Sequence, residues 1–578
     1  MYITKLYPSL KSSMCLVASG GLISVFMLIG FASYAQLRYT NNHFSSRSEV
    51  LGKHGMIATS HPLATQVGLD ILKRGGSAMD AAIAANCMLG LVEPTGNGIG
   101  GDLFAIVWEE KSQRLYGLNG SGRSPKGMDL QYLLNSGHKK IPSYGALSVS
   151  VPGCVDAWYT LHQRFGILRI NDLFKPTIDY AIEGFPVTEV IAFLWQEYAA
   201  TLKKYAGFRD TYMPGGLPPC KGQLFQNPDL ANTLKQLVKH GRDGFYKGII
   251  ADSITESVKR EGGFLSKADL AEHRSEWVEP VSTNYRGYDV WELPPNSQGL
   301  AVLEMLNILE RYDIRKMGFG SADYIHHFLE TKKLVFEDRA FYYADPAFYK
   351  APMAGLLSKS YAARRSKLLD PVVAGNFKAG EPSQFGNTIY LTVADRFGNL
   401  VSLIQSNFAG MGSGIVPGGT GFSLQNRGCS FDLTPGKPNS YAPGKRPFQT
   451  LIPGFLTKNG RPFLSFGVMG ADMQPLGQVQ VIVNLVDFGM NLQEAADAPR
   501  INHVGSSDPT GEPARGKGIV YLEAGFSPLA ISELQKRGHI IGMDLRGYGG
   551  FQGIIKDSTN GIYHGASEFR KDGNAAGY

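Results

Sequence analysis

Cysteine is scarce in this chain. Five occur in 578 residues, at positions 15, 87, 154, 220 and 429, with no C-x-x-C pair and no tight spacing. That pattern argues against a structural metal site or a disulfide framework. One disulfide outside the cytoplasm stays open, as does burial of the thiols as small apolar groups. Concentrated charge is also missing. Charged residues make up 19% and the net charge is +7, but Lys and Arg are dispersed, with no basic run and no aromatic-basic stripe. The charge reads as a solvated surface, and no nucleic-acid partner is expected. G-x-S-x-G and H-E-x-x-H are absent, and Gly444-Lys445-Arg446 lacks the Ser/Thr of a phosphate loop. His326-His327 stands without carboxylate spacing and reads as a pair of ordinary core or surface histidines. Gly96-Asn97-Gly98-Ile99-Gly100-Gly101 satisfies G-x-G-x-x-G, but it follows a helix and leads into a strand. That is the reverse of a dinucleotide site, so a tight turn is the better reading. No metal and no cofactor is implied.

What is present begins with Lys5 and Lys11 ahead of an apolar stretch from Met14 to Ala35. Ser33 and Ala35 put small residues at the −3 and −1 positions of a cleavage site. Residues 1–35 therefore read as a secretory signal, which implies a periplasmic or secreted protein. About 18 apolar residues also suffice to span a bilayer, so the segment becomes a membrane anchor if it is not removed. No later stretch is long and apolar enough. Residues 36–55 read as a polar linker. A helix is predicted from His61 to Arg74, stopped by Gly75-Gly76, and Ser77-Ala78-Met79-Asp80 resembles a capping box for a second helix. Leu103 to Trp108 reads as a strand, and residues 150–370 as mostly helical. Hairpins are expected around Asn459-Gly460 and Asn560-Gly561, with an apolar helix from Gln478 to Phe488 between them. Strands, then helices, then strands argue for sheets packed face to face under helices.

The informative junction is Asn387-Thr388. A Gly/Pro/Ser/Gln stretch, residues 379–387, ends at a threonine that opens a strand. Ile389, Leu391 and Val393 point one way, and Tyr390 and Thr392 the other. A turn, Asp395 to Asn399, returns the chain as Leu400 to Ser406. A threonine inside a chain is a weak nucleophile. A break before it would expose an α-amine with a pKa near ~8, able to act as base for the hydroxyl on the same residue.

From about residue 55 onward the chain resembles the γ-glutamyltransferase (glutathione hydrolase) family of autoprocessed N-terminal-nucleophile hydrolases. The resemblance is carried by Ala64 to Gly68, Gly75 to Ala82, Gly100-Gly101-Asp102, Val151-Pro152-Gly153 and Tyr285 to Tyr288. It continues through Asn387-Thr388, Asp395 with Gly398-Asn399, Lys445-Arg446-Pro447, Asp497 to Arg500 and the ending Gly577-Tyr578. It implies an α+β fold, a four-layer αββα sandwich. It also implies cleavage between Asn387 and Thr388 into a large subunit, 36–387, and a small one, 388–578. Thr388 would be both cleavage and catalytic nucleophile. Ser406 falls where the family has a threonine that bonds the nucleophile's amine. Gly470 and Ala471 fall on two oxyanion-hole glycines, and a backbone donor survives the alanine if the local φ admits it. The partners would be a small-molecule amide and water or an amino acceptor.

The departures concentrate where the family reads the glutamyl group. In Asn119 to Pro125, Ser121 stands at the place of the carboxylate-binding arginine and Arg123 lies two residues later. In Gln425 to Phe431, Arg427 takes a Gln/Glu place and Ser430 the place of the amine-binding aspartate. Phe408 replaces a substrate-contacting asparagine, and Gln449-Thr450 a Ser-Ser pair. Leu433 to Gly444 is shorter than the loop of members with a lid, so a more open cleft is expected. Arg123 and Arg427, with Ser430, Gln449 and Thr450, are the candidate substrate-binding residues. Three readings follow: γ-glutamyl transfer or hydrolysis, an acylase-like amide hydrolase on a non-glutamyl substrate, and a processed but inactive binding protein. Thr388→Ala should leave one uncut chain of full mature length on a denaturing gel. Two pieces from that variant would remove Thr388 from the cleavage chemistry.

Overall fold

The computed structural model describes residues 45–377, 388–506, 508–543 and 547–578. The signal segment and Asn387 lie outside the described residues. Two antiparallel seven-stranded sheets face each other. In one, the order is Asn574–Gly577, Met56–Thr59, Ile389–Ala394, Leu400–Ser406, Asp102–Glu109, Arg114–Gly120 and Glu276–Val278. In the other it is Val50–Gly52, Tyr563–Ser567, Gly550–Lys556, Arg461–Met469, Gly454–Lys458, Tyr288–Glu292 and Val281–Tyr285. Phe104, Trp108, Tyr390, Ile404, Phe455 and Ile554 fill the space between the sheets. Helices including Pro62–Lys73 and Ala78–Val92 cover the outer face of the first sheet. Gly299–Leu309, Ala322–Tyr342 and Met473–Val486 cover that of the second. The result is the αββα sandwich.

Local chemistry explains the elements that carry the site. Pro62 presets the first helical turn, and the His61 side chain accepts from the Leu63 N–H. Gly75, at φ 92°, ends that helix. The capping box is present: Ser77 and Asp80 each bond the other's backbone N–H. Asp80 is buried and also accepts from the N–H groups of Ile167 and Leu168, both within about 3.1 Å. Ile389, Leu391 and Val393 enter the helix-side core, and Tyr390 the inter-sheet core. The expected alternation holds, and both faces of this strand are buried.

Several boundaries move. The stretch expected to be a linker contains an edge strand, because Val50–Gly52 pairs antiparallel with Tyr563–Ser567. The helical middle third contains the hairpin Val281–Tyr285 and Tyr288–Glu292. The helix expected from Gln478 to Phe488 runs Met473–Val486, starting earlier than its apolar run. Cys87 and Cys154 are buried, Cys429 is half-buried and Cys220 exposed, and all four are free thiols. Among the described residues no helix is long and apolar enough to cross a membrane. The chain end is bound into the fold: the Tyr578 carbonyl accepts from the N–H groups of Lys53 at 2.9 Å and His54 at 2.7 Å.

The turn after the Thr388 strand is held by one carboxylate. Asp395 accepts from the N–H groups of Phe397 at 2.9 Å and Asn399 at 3.0 Å, and from the Asn399 amide at 2.9 Å. It also accepts from the Ala78 N–H at 2.8 Å, so it ties the hairpin to the start of a helix. Asp395→Ala leaves buried donors unmatched and should cost about 2–4 kcal/mol of stability. Denaturant unfolding of the uncut Thr388→Ala chain, with and without the change, measures it. A loss below about 0.5 kcal/mol, the size of an ordinary surface substitution, would show that the turn needs no such anchor.

Candidate active site

Thr388 sits immediately before the strand Ile389–Ala394 and is 2% exposed. The register pairs Ile389 with Gln405, which sets Thr388 beside Ser406, the last residue of the neighbouring strand. The Thr388 hydroxyl approaches Ser406 Oγ at 3.4 Å, and Ser406 Oγ accepts from the Phe408 N–H at 2.8 Å. The glycine-rich turn presses its backbone against this pair. A Cβ on Gly96 would lie 3.3 Å from the Thr388 carbonyl carbon, and one on Gly101 2.3 Å from the Ser406 carbonyl oxygen. Close approach, more than turn geometry, is what these glycines supply.

The same turn delivers Asp102, which is fully buried and lies opposite Ser406 in the sheet. Its carboxylate accepts from the Gly122 N–H at 2.9 Å and from the Gln425 amide at 2.8 Å. It also accepts from the amide of Gln449, which reaches Ser121 Oγ at 3.0 Å as well. Burial pushes the Asp102 carboxyl up to about 6, against the Arg427 charge and these hydrogen bonds.

Arg427 is completely buried. One guanidinium nitrogen donates to Thr450 Oγ at 2.9 Å, and the group lies 4.1 Å from the centre of the Phe408 ring. Among the described residues its Nε and Nη2 have no hydrogen-bond partner, and no carboxylate lies within ion-pair distance. Burial lowers its pKa to about 10, with Asp102 opposing. Ser430 is buried, and among the described residues its hydroxyl is unpartnered, as is Gln449 Oε1. A small cleft of about 30 Å³ opens beside Phe408 and Ala409, with Lys140, Cys429 and Glu512 in its wall.

Gly470 and Ala471 follow the strand Arg461–Met469 and precede the helix Met473–Val486. Ala471 has φ 50°, the left-handed region, which an alanine enters at a cost of roughly 1–2 kcal/mol. Among the described residues nothing accepts the N–H of either residue. Arg123 is placed elsewhere: it pairs with Glu276 at 2.8 Å, in a cavity with His273 and Gly444. Asn387 lies outside the described residues. The structure thus sets Ser406, Gln449 and Arg427 around Asp102, with Thr388 on Ser406 and Thr450 on Arg427, and gives Arg123 a different partner.

Sequence reasoning passed over Asp102, Gln425 and Gln298 as site residues. The glycines next to Asp102 were the available signal. Gln298 carries none, being a lone amide before a helix. His326 and His327 are buried core histidines, as expected, but a carboxylate does stand at helical spacing from the first. Glu330 lies one turn after His326, and His539 joins them, with ligand-type atoms all within 4.8 Å of one another. Those atoms are already engaged. His326 and His539 share a 2.9 Å hydrogen bond, Glu330 pairs with Lys333, and the Gly375 N–H donates to Glu330 at 2.9 Å.

Comparison with known proteins adds a second line. The family model described as gamma-glutamyltranspeptidase matches residues 64–578. A Bacillus subtilis (strain 168) protein named glutathione hydrolase-like YwrD proenzyme is 35% identical, covering 91% of this chain and 99% of its own. The acylase ACY 1 proenzyme of Pseudomonas sp. (strain SE83) is 35% identical, covering 90% and 93%. The crystal structure of cephalosporin acylase from Bacillus halodurans superposes with a TM-score of 0.86 at 41% identity, covering 94% and 99%.

The Asp102 carboxyl generates a pH dependence. Its folded pKa, about 6, lies above its ordinary 3.8, so folding favours the protonated form. Its contribution to stability is full below about pH 4 and is lost as pH rises through 6, by about 3 kcal/mol at most. Asp102→Asn in the uncut Thr388→Ala chain should flatten the melting temperature between pH 4 and 7 relative to its parent. Parallel curves would show that the carboxyl titrates at its ordinary value.

Proposed function

The chain belongs to the γ-glutamyltranspeptidase family of hydrolase and transferase proenzymes, and from there we propose that it is an acylase for amides whose acyl group carries a carboxylate but no α-amine. One observation carries the choice. Arg427 is a buried cation with two unpartnered nitrogens, while the position where the family places an amine-binding aspartate is Ser430, which has no charge. A buried guanidinium costs much free energy unless an anion meets it, and a planar carboxylate suits its geometry. An α-ammonium would meet only a hydroxyl. Asp102 offers it little, being occupied by three donors. The names of the Pseudomonas relative and the Bacillus halodurans structure agree with this reading. The B. subtilis relative's name keeps γ-glutamyl hydrolysis as the second reading, since Arg427 would serve a glutamyl α-carboxylate equally.

The proposed chemistry has two stages. In the precursor, Thr388 Oγ attacks the Asn387 carbonyl. The C–Oγ bond forms as the C–N bond breaks, giving an ester and a free Thr388 amine. Water then cleaves the ester, leaving the Asn387 carboxylate. In the mature enzyme that amine takes the hydroxyl proton as Oγ attacks the substrate amide. The oxyanion is placed against the Gly470 and Ala471 N–H groups, where one lost donor costs about 10²–10³ in rate. The leaving amine takes the proton, and water or an amino acceptor removes the acyl group. Ser406 Oγ holds the nucleophile's orientation, and Phe408 screens Arg427 from water. The proposed place of action, resting on residues 1–35, is the periplasm or the exterior.

Paired anilides decide between the readings, because glutaryl and γ-glutamyl anilide differ only in the α-amine. The glutaryl compound should show at least about tenfold higher kcat/KM. Arg427→Met should raise its KM at least about 100-fold, since breaking a buried charge pair costs about 3–5 kcal/mol. A preference for the γ-glutamyl anilide would replace the acylase reading with the second one.

A further inference from the structure

We propose that Arg339, which is remote from Thr388 in its contacts, is a positioning residue that sets the oxyanion loop and the carboxylate receptor together. The inference rests on the reading of Gly470 and Ala471 as oxyanion donors. Arg339 lies on the long helix Ala322–Tyr342 and is completely buried, with Phe336 and Phe448 against its guanidinium at 3.9 and 5.5 Å. Its charge is met by Asp472 at 2.7 Å and Asp508 at 3.2 Å. The nitrogen that meets Asp472 also donates to Gln298 Oε1, at 2.7 Å.

That contact fixes which way the Gln298 amide faces. A guanidinium only donates, so the amide oxygen must point to it and the amide nitrogen away. The nitrogen then donates to two backbone carbonyls, Ala471 at 3.0 Å and Thr450 at 2.9 Å. The first belongs to the residue in the left-handed conformation, so its strained peptide is held from its carbonyl side by Gln298 and through Asp472 by Arg339 itself. The second belongs to the residue whose hydroxyl accepts from Arg427. One cation thereby sets the place where negative charge develops and the place where the substrate carboxylate docks. Arg339 and Gln298 precede the cut at Thr388, and all four groups they hold follow it. The large subunit would thus align donors that the small subunit supplies.

Misplacing such donors by about 1 Å costs about 10²-fold in rate, because the stabilisation depends on preorganisation. Two variants test the idea. Arg339→Lys keeps the charge and loses the fork. Gln298→Glu keeps the acceptor for Arg339 and turns the amide donor into an oxygen facing two carbonyls. Active sites are counted by mass after labelling Thr388 with a small acylating electrophile, and turnover of glutaryl anilide is expressed per labelled site. Both variants should lose 10–100-fold in kcat per site, and Gln298→Glu should also raise KM. The rate of labelling should fall at least tenfold, with the melting temperature of Gln298→Glu close to wild type. A purely structural role would lower the number of labelled sites and leave kcat per site and labelling rate within twofold of wild type, which overturns the proposal. Should Arg339→Lys not fold, Gln298→Glu carries the test alone. Should wild type turn over neither anilide, the substrate reading fails while the labelling rate still decides this one.

Discussion

A strand bonded on both edges and buried on both faces cannot shift, and the residue in front of it inherits that rigidity. Ile389–Ala394 lies between Met56–Thr59 and Leu400–Ser406, under helices on one side and the second sheet on the other. Moving it by one residue would turn Tyr390 toward the helices and Ile389 toward the other sheet. Thr388 therefore has a fixed position before any substrate arrives. Gly96 lets a neighbouring turn close on it and Gly101 lets the same turn close on Ser406 beside it, and the Asp395 carboxylate locks the far end of the hairpin.

Around that fixed point the molecule places an unusual amount of buried polarity. Asp102 and Arg427 are both fully enclosed, and burial opposes the charge of each. Asp102 is compensated by three donors from within the protein. Arg427 is compensated only in part, by one hydroxyl, an aromatic face and the more distant Asp102. A fold that tolerates an underpaired buried cation carries a cost that a bound anion would relieve. That asymmetry, together with the uncharged Ser430, is what the proposed acylase reading rests on.

The sequence was legible where local chemistry decides structure. The capping box at Ser77, the Asp395 turn and the hairpins at Asn459-Gly460 and Asn560-Gly561 all form as written. It was least legible at edges. Val50–Gly52 has too little pattern to announce a strand and becomes one because Tyr563–Ser567 offers an edge. Among the residues named from the γ-glutamyltransferase resemblance, Thr388 contacts Ser406, Arg427 contacts Thr450, and Gln449 contacts Asp102. Arg123 does not join them, because Glu276, brought alongside by a strand distant in sequence, pairs with it first. Gln298 was invisible, since an isolated glutamine signals nothing until the carbonyls it must satisfy are known.

The division of strands around Thr388 has a further consequence. Each sheet draws strands from both sides of that residue, with Asn574–Gly577 reaching back past Ile389–Ala394 to pair with Met56–Thr59. Two pieces produced by a cut there would not be globules docked along a seam. They would share both sheets and the helical layer over the second, and neither could close a core alone. The mature molecule is then better regarded as one nicked domain. Its parting into halves and its unfolding become the same event, and its stability acquires a dependence on protein concentration that the uncut precursor lacks.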